Sequence, residues 1–145
     1  MKLLCIGKIK NKDYENLINM YLAKINKYQK LEVIEIPIKG EDPSLEGDKL
    51  LDKIKPNDYV VLLDREGKEL DSLELASYIK DMLIKNSNIT FIIGGSLGVS
   101  KEVKERADFI LSFSKMTYPH ELFRLIFMES IYRSFKINNN ERYHK

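Results

Sequence analysis

The chain has 145 residues, and its 24 basic and 22 acidic side chains leave a formal net charge of +2 at pH 7. One domain of this length can bury a core without disulfide or metal staples, and the near balance of charge excludes an indiscriminate polycation. Any nucleic-acid site must therefore be local. The single cysteine, Cys5, excludes an internal disulfide framework and a cysteine-based zinc site, and its apolar neighbours predict that it is buried.

The N-terminus and the apolar segments predict a cytoplasmic protein. The apolar run within Met1–Lys8 is too short for a signal peptide and has no cleavage signature. No apolar segment approaches the roughly 20 residues that a membrane-spanning helix needs.

Strand and helix patterns alternate along the whole chain. The sequence predicts strands at 3–7, 31–37, 59–63, 89–93 and 109–113, and helices at 13–28, 45–54, 72–85, from 100 onward and at 119–137. A polar loop is predicted around Lys39–Pro43. Tyr59–Leu63 and Ile89–Ile93 are apolar throughout, as strands covered on both faces are. These features predict one α/β domain over residues 1–145, with a mostly parallel sheet and helices on both faces.

Two of the predicted helices carry apolar residues at helical spacing, and we expect these residues to face inward. They are Leu17, Ile18, Tyr21, Leu22 and Ile25 in the first helix, and Leu73, Leu75, Ala76, Ile79, Met82 and Leu83 in the helix at 72–85.

Ligands of open parallel sheets bind beyond the carboxyl ends of the strands, and three segments with unusual residues are predicted there. Asp64–Lys68 reads as a charged turn with Gly67 at a positive φ. Gly94–Gly98 fits neither a Walker A loop nor a dinucleotide fingerprint. It either only turns the chain from strand to helix, or offers a backbone that a flat adenine or ribose can approach at its first two glycines.

The third segment, Ser112–Thr117, is rich in hydroxyl groups and lies between a predicted buried strand and a predicted buried helix. Thr117 can cap that helix, and Pro119 suits its first turn. Capping leaves Ser112 and Ser114 without an explanation.

Polar residues interrupt the apolar last helix, where they are costly unless they are paired or employed. His120 and Arg124 lie one turn apart on a common face, and Glu129 and Arg133 form another such pair. A surface ion pair is the plain alternative for the second pair. The helix is apolar over more than one stripe, which predicts that it packs on a second chain as well as on its own sheet.

The terminal Arg142–Lys145 has two interpretations. Its composition favours a frayed end. A Tyr-His pair flanked by cations is also able to stack on RNA.

Taken together, these segments resemble the RlmH type of small SPOUT-class methyltransferases over nearly the whole chain. The matching residues are Leu63-Asp64, Gly67-Lys68, Ser72, Ala76, Phe91–Gly95, Gly98, Leu111–His120, Arg124, Glu129, Tyr132-Arg133 and Tyr143–Lys145. The chain departs modestly from the family pattern, with Leu73 before Glu74, with Glu121 after His120, and with Asn139-Asn140 where relatives carry Arg-Gly.

The resemblance implies methylation of N3 of a pseudouridine in 23S ribosomal RNA of the assembled ribosome, with S-adenosylmethionine as cofactor and no metal. It also implies a trefoil knot in the C-terminal part of the sheet, and a homodimer with its active site at the subunit seam. By matching position, the implied cofactor contacts are Leu63, Gly94, Phe113, Ser114, Lys115, Met116, Thr117 and Tyr118, and the implied catalytic residues are His120, Arg124, Arg133, Tyr143 and His144. Two alternatives remain: a SPOUT enzyme that acts on transfer RNA, and a catalytically silent ribosome-binding module.

Overall fold

The computed structural model describes residues 1–37 and 40–144, so the predicted loop position Lys39 and the terminal Lys145 lie outside the described residues. Strands and helices alternate along the chain, as the sequence predicts. In chain order the elements are β1 (Lys2–Ile6), α1 (Lys12–Ile25), β2 (Glu32–Ile36), α2 (Pro43–Leu51), β3 (Tyr59–Glu69), α3 (Ser72–Lys85), β4 (Ile89–Ile93), α4 (Lys101–Arg106), β5 (Phe109–Ser112) and α5 (His120–Asn138).

The chain divides into two compact units that alternate along the sequence. The sheet unit consists of Met1–Lys8, Glu32–Glu69 and Asn86–Thr117. The helical unit consists of Ile9–Leu31, Leu70–Lys85 and the chain from Tyr118 onward.

The sheet unit contains one five-stranded sheet with the order β2-β1-β4-β3-β5, and every neighbouring pair of strands is parallel. This confirms the predicted α/β class and its parallel sheet. The apolar strands are buried, with Cys5, Val61 and Phe91 fully so. One hydrophobic cluster joins four of the strands to α2 and α4, and its buried members are Leu4, Ile6, Ile36, Leu50, Val60, Leu62, Ile92 and Val103.

The prediction that Asp64–Lys68 forms a turn is wrong, because β3 continues through it to Glu69. Leu63 and Lys68 both pair with Leu111, so the residues between them form a bulge in the ladder of β3 and β5. Gly67 does not have the predicted positive φ either. A Cβ at Gly67 would lie 2.6 Å from the carbonyl oxygen of Ile110, so this residue is required for a close approach of two backbones.

A buried carboxylate connects three parts of the sheet unit. Asp58 is 4% exposed, and it accepts hydrogen bonds from the Thr90 hydroxyl at 2.9 Å and from the backbone N–H of Lys55 at 3.0 Å. The Lys2 ammonium lies 2.7 Å away. Burial acts to raise the pKa of Asp58, but these partners outweigh burial and hold the pKa below the usual carboxyl range.

Replacing Asp58 with asparagine should lower the free energy of unfolding at pH 7 by about 2 kcal/mol, because the half-buried Lys2 ammonium loses its carboxylate partner and keeps only its hydrogen bond to the Lys53 carbonyl. A depressed folded-state pKa stabilises the fold above the unfolded pKa, and the stabilisation is lost as pH falls through the folded value. Urea denaturation should therefore show a smaller difference between the variant and the parent at strongly acidic pH than at pH 7. Asp52→Asn, at an exposed position, is the control. An equal difference at both pH values would contradict this account.

The helical unit contains α1, α3 and α5, and both α1 and α3 contact α5. Ile18 and Ile25 of α1 are buried as predicted. Leu73 is 57% exposed, so its predicted inward orientation is wrong, as is that of Leu17. Leu73 lies in the first turn of α3, where the capping residue Asp71 determines how the helix begins and the apolar stripe has not yet started.

Candidate active site

In the sheet unit, the ends of β4 and β5 bring together the first residues of two predicted segments, Gly94–Gly98 and Ser112–Thr117. Leu63 pairs with Ile93 on one side and with Leu111 on the other. Gly94 and Ser112 follow these partners directly in the chain, and neighbouring strands lie about 4.8 Å apart. Leu63, Gly94 and the beginning of the third segment therefore meet at one edge of the sheet, as binding at strand ends requires.

The serines of the third segment form its local structure. The Ser112 hydroxyl donates a hydrogen bond to the carbonyl of Ser114 at 3.1 Å, and the Ser114 hydroxyl accepts one from the N–H of Met116 at 3.0 Å. The Lys115 ammonium donates to the carbonyl of Arg65 in the β3 bulge at 3.0 Å. These bonds shape a backbone path from the end of β5 that leaves Lys115, Met116 and Thr117 exposed.

The predicted cap of α5 is wrong. Pro119, not Thr117, is the residue at the N-cap, and it provides no side-chain hydrogen bond. Thr117 therefore has no capping role and is available for other contacts. Tyr118, the last of the implied cofactor contacts, belongs to the helical unit, where its ring stacks on Phe123 with the ring centroids 6.1 Å apart.

The glycine loop is closed on the side where its first two residues lack a Cβ. A Cβ at Gly94 would overlap a methyl group of Val99, and one at Gly95 would overlap the carboxylate of Glu46. The prediction that a ligand can approach the backbone of these two glycines is therefore wrong for the side on which a Cβ would lie. Gly98, with φ of 86°, donates its N–H to the carbonyl of Gly95 at 3.1 Å and closes the turn.

Asp64 places a fixed negative charge beside the end of the apolar half of β3. Its carboxylate pairs with the Lys104 ammonium at 3.1 Å and accepts the N–H of Glu66 at 2.9 Å. Burial acts to raise the pKa of Asp64, but these two partners outweigh burial and hold the pKa below the usual carboxyl range. The carboxylate is therefore ionised at neutral pH.

A second cluster lies on α5 in the helical unit and includes three of the predicted catalytic residues. Two guanidinium nitrogens of Arg133 bond to Glu129, at 2.6 Å and 3.5 Å. A third nitrogen lies 3.4 Å from Nδ1 of His144. The guanidinium carbon is 5.0 Å from the centre of the Tyr143 ring. The hydrogen bond that Arg133 donates to Glu129 is the main cause that raises the pKa of Arg133, so the guanidinium stays charged.

The C-terminal segment packs on this cluster, so the interpretation of residues 142–144 as a frayed end is wrong. The Tyr143 hydroxyl donates to Glu129 at 3.0 Å, and its ring meets the edge of Tyr132 at 5.1 Å. The chain reaches this position because Asn140 adopts φ of 54°, a left-handed conformation that asparagine tolerates best after glycine. Asn140 therefore supports the bend that brings the end of the chain back onto α5.

Removing the hydroxyl with Tyr143→Phe should remove one of the steps of the tyrosine titration that lie above the ordinary pKa of tyrosine. Burial is the main cause that raises the pKa of Tyr143, followed by its hydrogen bonds with Tyr21 and Glu129. A raised folded-state pKa means that the stabilisation is complete below the pKa of an unfolded tyrosine and is lost as pH rises above it. Ultraviolet difference absorption will follow the step, and Tyr14→Phe is the control. If Tyr143→Phe leaves that step unchanged, the packing of the segment is wrong.

His120 and Arg124 lie apart from the Arg133 cluster. Arg124 is 2% exposed, while His120 is partly exposed at the first position of α5. Arg124 and Arg133 are separated by about 13.5 Å along the helix, at about 1.5 Å per residue. A single α5 helix therefore carries two polar groups at different positions along its axis, His120 with Arg124 and the Arg133 cluster. Glu121, the departure next to His120, accepts the backbone N–H of Lys10 at 2.5 Å and joins the start of α5 to the segment before α1.

Sequence reasoning gave no role in the site to two acidic residues. It left open whether the pair of Glu129 with Arg133 is more than a surface ion pair, and the structure adds a contact of Glu129 with Tyr143. Glu46 was overlooked, although a glycine directly after it inside a helix indicates a close approach at this position. The Cβ that Gly47 lacks would overlap the Ser100 hydroxyl.

Among residues 1–37 and 40–144, no group of three or more His, Cys, Asp or Glu side chains is arranged to hold a metal ion. Within the same residues, no helix has both the length and the apolar character to cross a membrane.

Comparison with known proteins identifies the family to which this chain belongs. A family model described as "Predicted SPOUT methyltransferase" matches residues 1–144. The chain therefore belongs to the SPOUT methyltransferases, and among them to the RlmH type.

Three curated relatives support the second step of this assignment. A protein of Clostridioides difficile named ribosomal RNA large subunit methyltransferase H is 45% identical, over 100% of this chain and 99% of its own length. One of the same name from Carboxydothermus hydrogenoformans is 46% identical, over 99% and 98%. A protein of Methanococcus vannielii that carries this name provisionally is 48% identical, over 99% and 98%.

A SPOUT methyltransferase needs a methyl donor, and the residues at these strand ends combine apolar and polar groups. Leu63 and Gly94 are buried at this end of the sheet, whereas Lys115, Met116 and Thr117 of the segment after β5 are exposed. Glu46 adds a buried carboxylate that can accept hydrogen bonds. Nucleoside sites are typically apolar with a few such polar groups.

Proposed function

We propose that this protein methylates N3 of a pseudouridine in 23S ribosomal RNA, with S-adenosylmethionine as the methyl donor, and that residues 1–145 act as one domain. The observation that carries the proposal is the cluster of Glu129, Arg133, Tyr143 and His144, which holds the end of the chain on α5. A cation, a histidine and aromatic rings held together fit a site for a flat, anionic RNA group. The names of the relatives supply the ribosomal substrate.

The cofactor supplies the methyl group from its sulfonium when it is bound. In the proposal, Leu63, Gly94 and the segment from Phe113 to Tyr118 hold it. Leu63 and Gly94 present the apolar edge that excludes water from its nucleoside, while the backbone after Ser112 supplies polar contacts. Positioning of the two reactants contributes most of the acceleration in such a site.

Arg133 determines which ring nitrogen of His144 is available to donate a hydrogen bond to the RNA. A guanidinium only donates hydrogen bonds, so its contact with Nδ1 of His144 makes that nitrogen the acceptor. The ring proton of the neutral histidine is then on Nε2, where it can donate to an oxygen or nitrogen of the base. His144 therefore acts as a hydrogen-bond donor in the proposal, Arg133 stabilises the deprotonated base, and bulk water takes the N3 proton.

The two polar groups of α5 support the proposed homodimer. Arg124 and Arg133 lie too far apart on one helix to hold one nucleotide side by side. In a dimer with its active site at the subunit seam, one group from each chain contributes. The partly exposed His120 contacts the RNA, and the buried Arg124 lies one turn behind it. Leu122, Leu125 and Ile126 of α5 are partly exposed in the single chain and are suited to this seam. A trefoil knot in the C-terminal part of the sheet belongs to the same proposal.

The function is tested on ribosomes from a strain that lacks the pseudouridine methyl group. The purified protein with S-adenosylmethionine should add one methyl group to 23S RNA, and mass mapping should place it on that pseudouridine. A methyl group found on transfer RNA instead would indicate the alternative function, a SPOUT enzyme that modifies transfer RNA. Calorimetry with S-adenosylhomocysteine, the product of methyl transfer, distinguishes an enzyme for either RNA from a catalytically silent module. The silent module would bind neither S-adenosylhomocysteine nor S-adenosylmethionine.

We further propose that the protein acts on the assembled ribosome. The net charge of +2 is too small to hold a long naked RNA through its phosphates, so shape must contribute. Ribosomes should therefore be better substrates than protein-free 23S RNA at the same salt concentration. Equal rates on both would contradict recognition of the assembled particle.

A further inference from the structure

Glu46 is an almost fully buried glutamate of the sheet unit. It lies inside α2 and is 4% exposed. Within the described parts of the chain, no hydrogen-bond donor or cation contacts its side chain. Burial raises the pKa of Glu46, and the nearby negative charges of Glu41 and Asp42 raise it further. A leucine at this position would avoid the desolvation of a carboxylate, so a ligand that donates hydrogen bonds would stabilise the ionised form of Glu46.

The carboxylate points at the glycine loop. Its Oε2 occupies the space that a Cβ of Gly95 would fill, and both of its oxygens lie against that position. Gly95 is partly exposed and follows Gly94, one of the proposed cofactor contacts. A ligand bound along the loop at Gly94 would therefore lie near the Glu46 carboxylate.

We propose that Glu46 is a cofactor-recognition residue that accepts hydrogen bonds from the vicinal hydroxyls of the S-adenosylmethionine ribose. This inference depends on the proposed function. A diol offers two O–H donors to the two oxygens of one carboxylate and brings no charge of its own. The amino-acid end of the cofactor fits less well, because its own carboxylate would meet Glu46 together with Glu41 and Asp42. The sulfonium must face the RNA, whereas Glu46 is buried.

Calorimetry on the full chain tests this assignment with four ligands. They are S-adenosylhomocysteine, methylthioadenosine, which keeps the ribose but lacks the amino-acid end, and the 2′-deoxy and 3′-deoxy forms of methylthioadenosine. Glu46→Ala should weaken both intact-ribose ligands by about tenfold or more. The 2′-deoxy and 3′-deoxy forms each keep one of the two hydroxyls, so each should bind the parent less tightly than methylthioadenosine and should lose less affinity in the variant.

Two further variants separate recognition from folding. Glu46→Gln should raise the melting temperature of the ligand-free protein, since it removes a buried charge, and still weaken the intact-ribose ligands. Asp48→Asn, at an exposed position of the same helix, should change neither.

Three outcomes would overturn the assignment. They are unchanged affinity in Glu46→Ala, equal losses for all ligands including both deoxy forms, and a loss confined to S-adenosylhomocysteine, which would assign Glu46 to the amino-acid end. If the parent protein binds none of the ligands, the proposed function fails instead.

Discussion

Replacing Arg133 with alanine should lower the rate of methylation about 100-fold, while the affinity for S-adenosylhomocysteine stays close to that of the parent. Arg133 bonds to Glu129, lies over the Tyr143 ring and donates to His144. Without it, Glu129 keeps a carboxylate with no counter-ion in the cluster, and His144 loses the contact that selects its tautomer. The reacting base then loses both a cation and an oriented donor.

Single-turnover methylation of ribosomes measures this effect, with calorimetry as the parallel measure of cofactor binding. Arg133→Lys keeps the charge but not the two-nitrogen contact with Glu129, so it should restore only part of the rate. Lys136→Ala removes a different cation of the same helix, one paired with Glu141, and should stay within a few-fold of the parent. Full activity of Arg133→Ala would remove Arg133 from the site. Collapse of cofactor binding would show that the cluster serves the cofactor instead.

Replacing Gly67 with alanine should lower the free energy of unfolding by about 3 kcal/mol. The added Cβ would lie 2.6 Å from the Ile110 oxygen, 2.7 Å from its carbonyl carbon and 2.8 Å from the carbonyl carbon of Leu111. All three atoms are backbone, so no side chain can rotate away. β3 and β5 must separate at the bulge, and their ladder of hydrogen bonds is lost locally.

Urea denaturation of the ligand-free protein measures this loss. Glu69→Ala, an exposed position near the end of the same strand, is the matched control and should change the stability by less than about 0.5 kcal/mol. We also expect Gly67→Ala to weaken cofactor binding, because Leu111 leads directly into the segment that follows β5. A stability equal to that of the control variant would mean that the two backbones are not held this closely.

Most strands and helices could be predicted because their signals are local. Ile89–Ile93 and Ser72–Lys85 match the prediction at both ends, since an unbroken apolar run and helical spacing need no knowledge of distant residues. The turn predicted at Asp64–Lys68 failed for the opposite reason. Charged residues and a glycine are typical of a turn, but pairing with β5, about 45 residues later, makes this segment a strand.

The candidate site could be predicted only in part. Adjacency of Leu63 and Gly94 follows from the rule that parallel strands end at one edge, and the register confirms it. Glu46 could not be found in this way, because only the packing of α2 against the glycine loop shows that its carboxylate is buried beside Gly95. The roles of the predicted cofactor and catalytic residues remain predictions.

By itself, the sequence determined the α/β class, the parallel sheet and the resemblance to one family, since periodicity, apolar runs and short motifs are written in neighbouring residues. Only the tertiary structure decided that Tyr143 and His144 pack on α5, that Gly67 serves a close approach of backbones, and that Glu46 lies under the glycine loop. The reason is that burial and pairing depend on residues far apart in the chain. A carboxylate or a terminal tyrosine has the same local pattern whether it is solvated or enclosed.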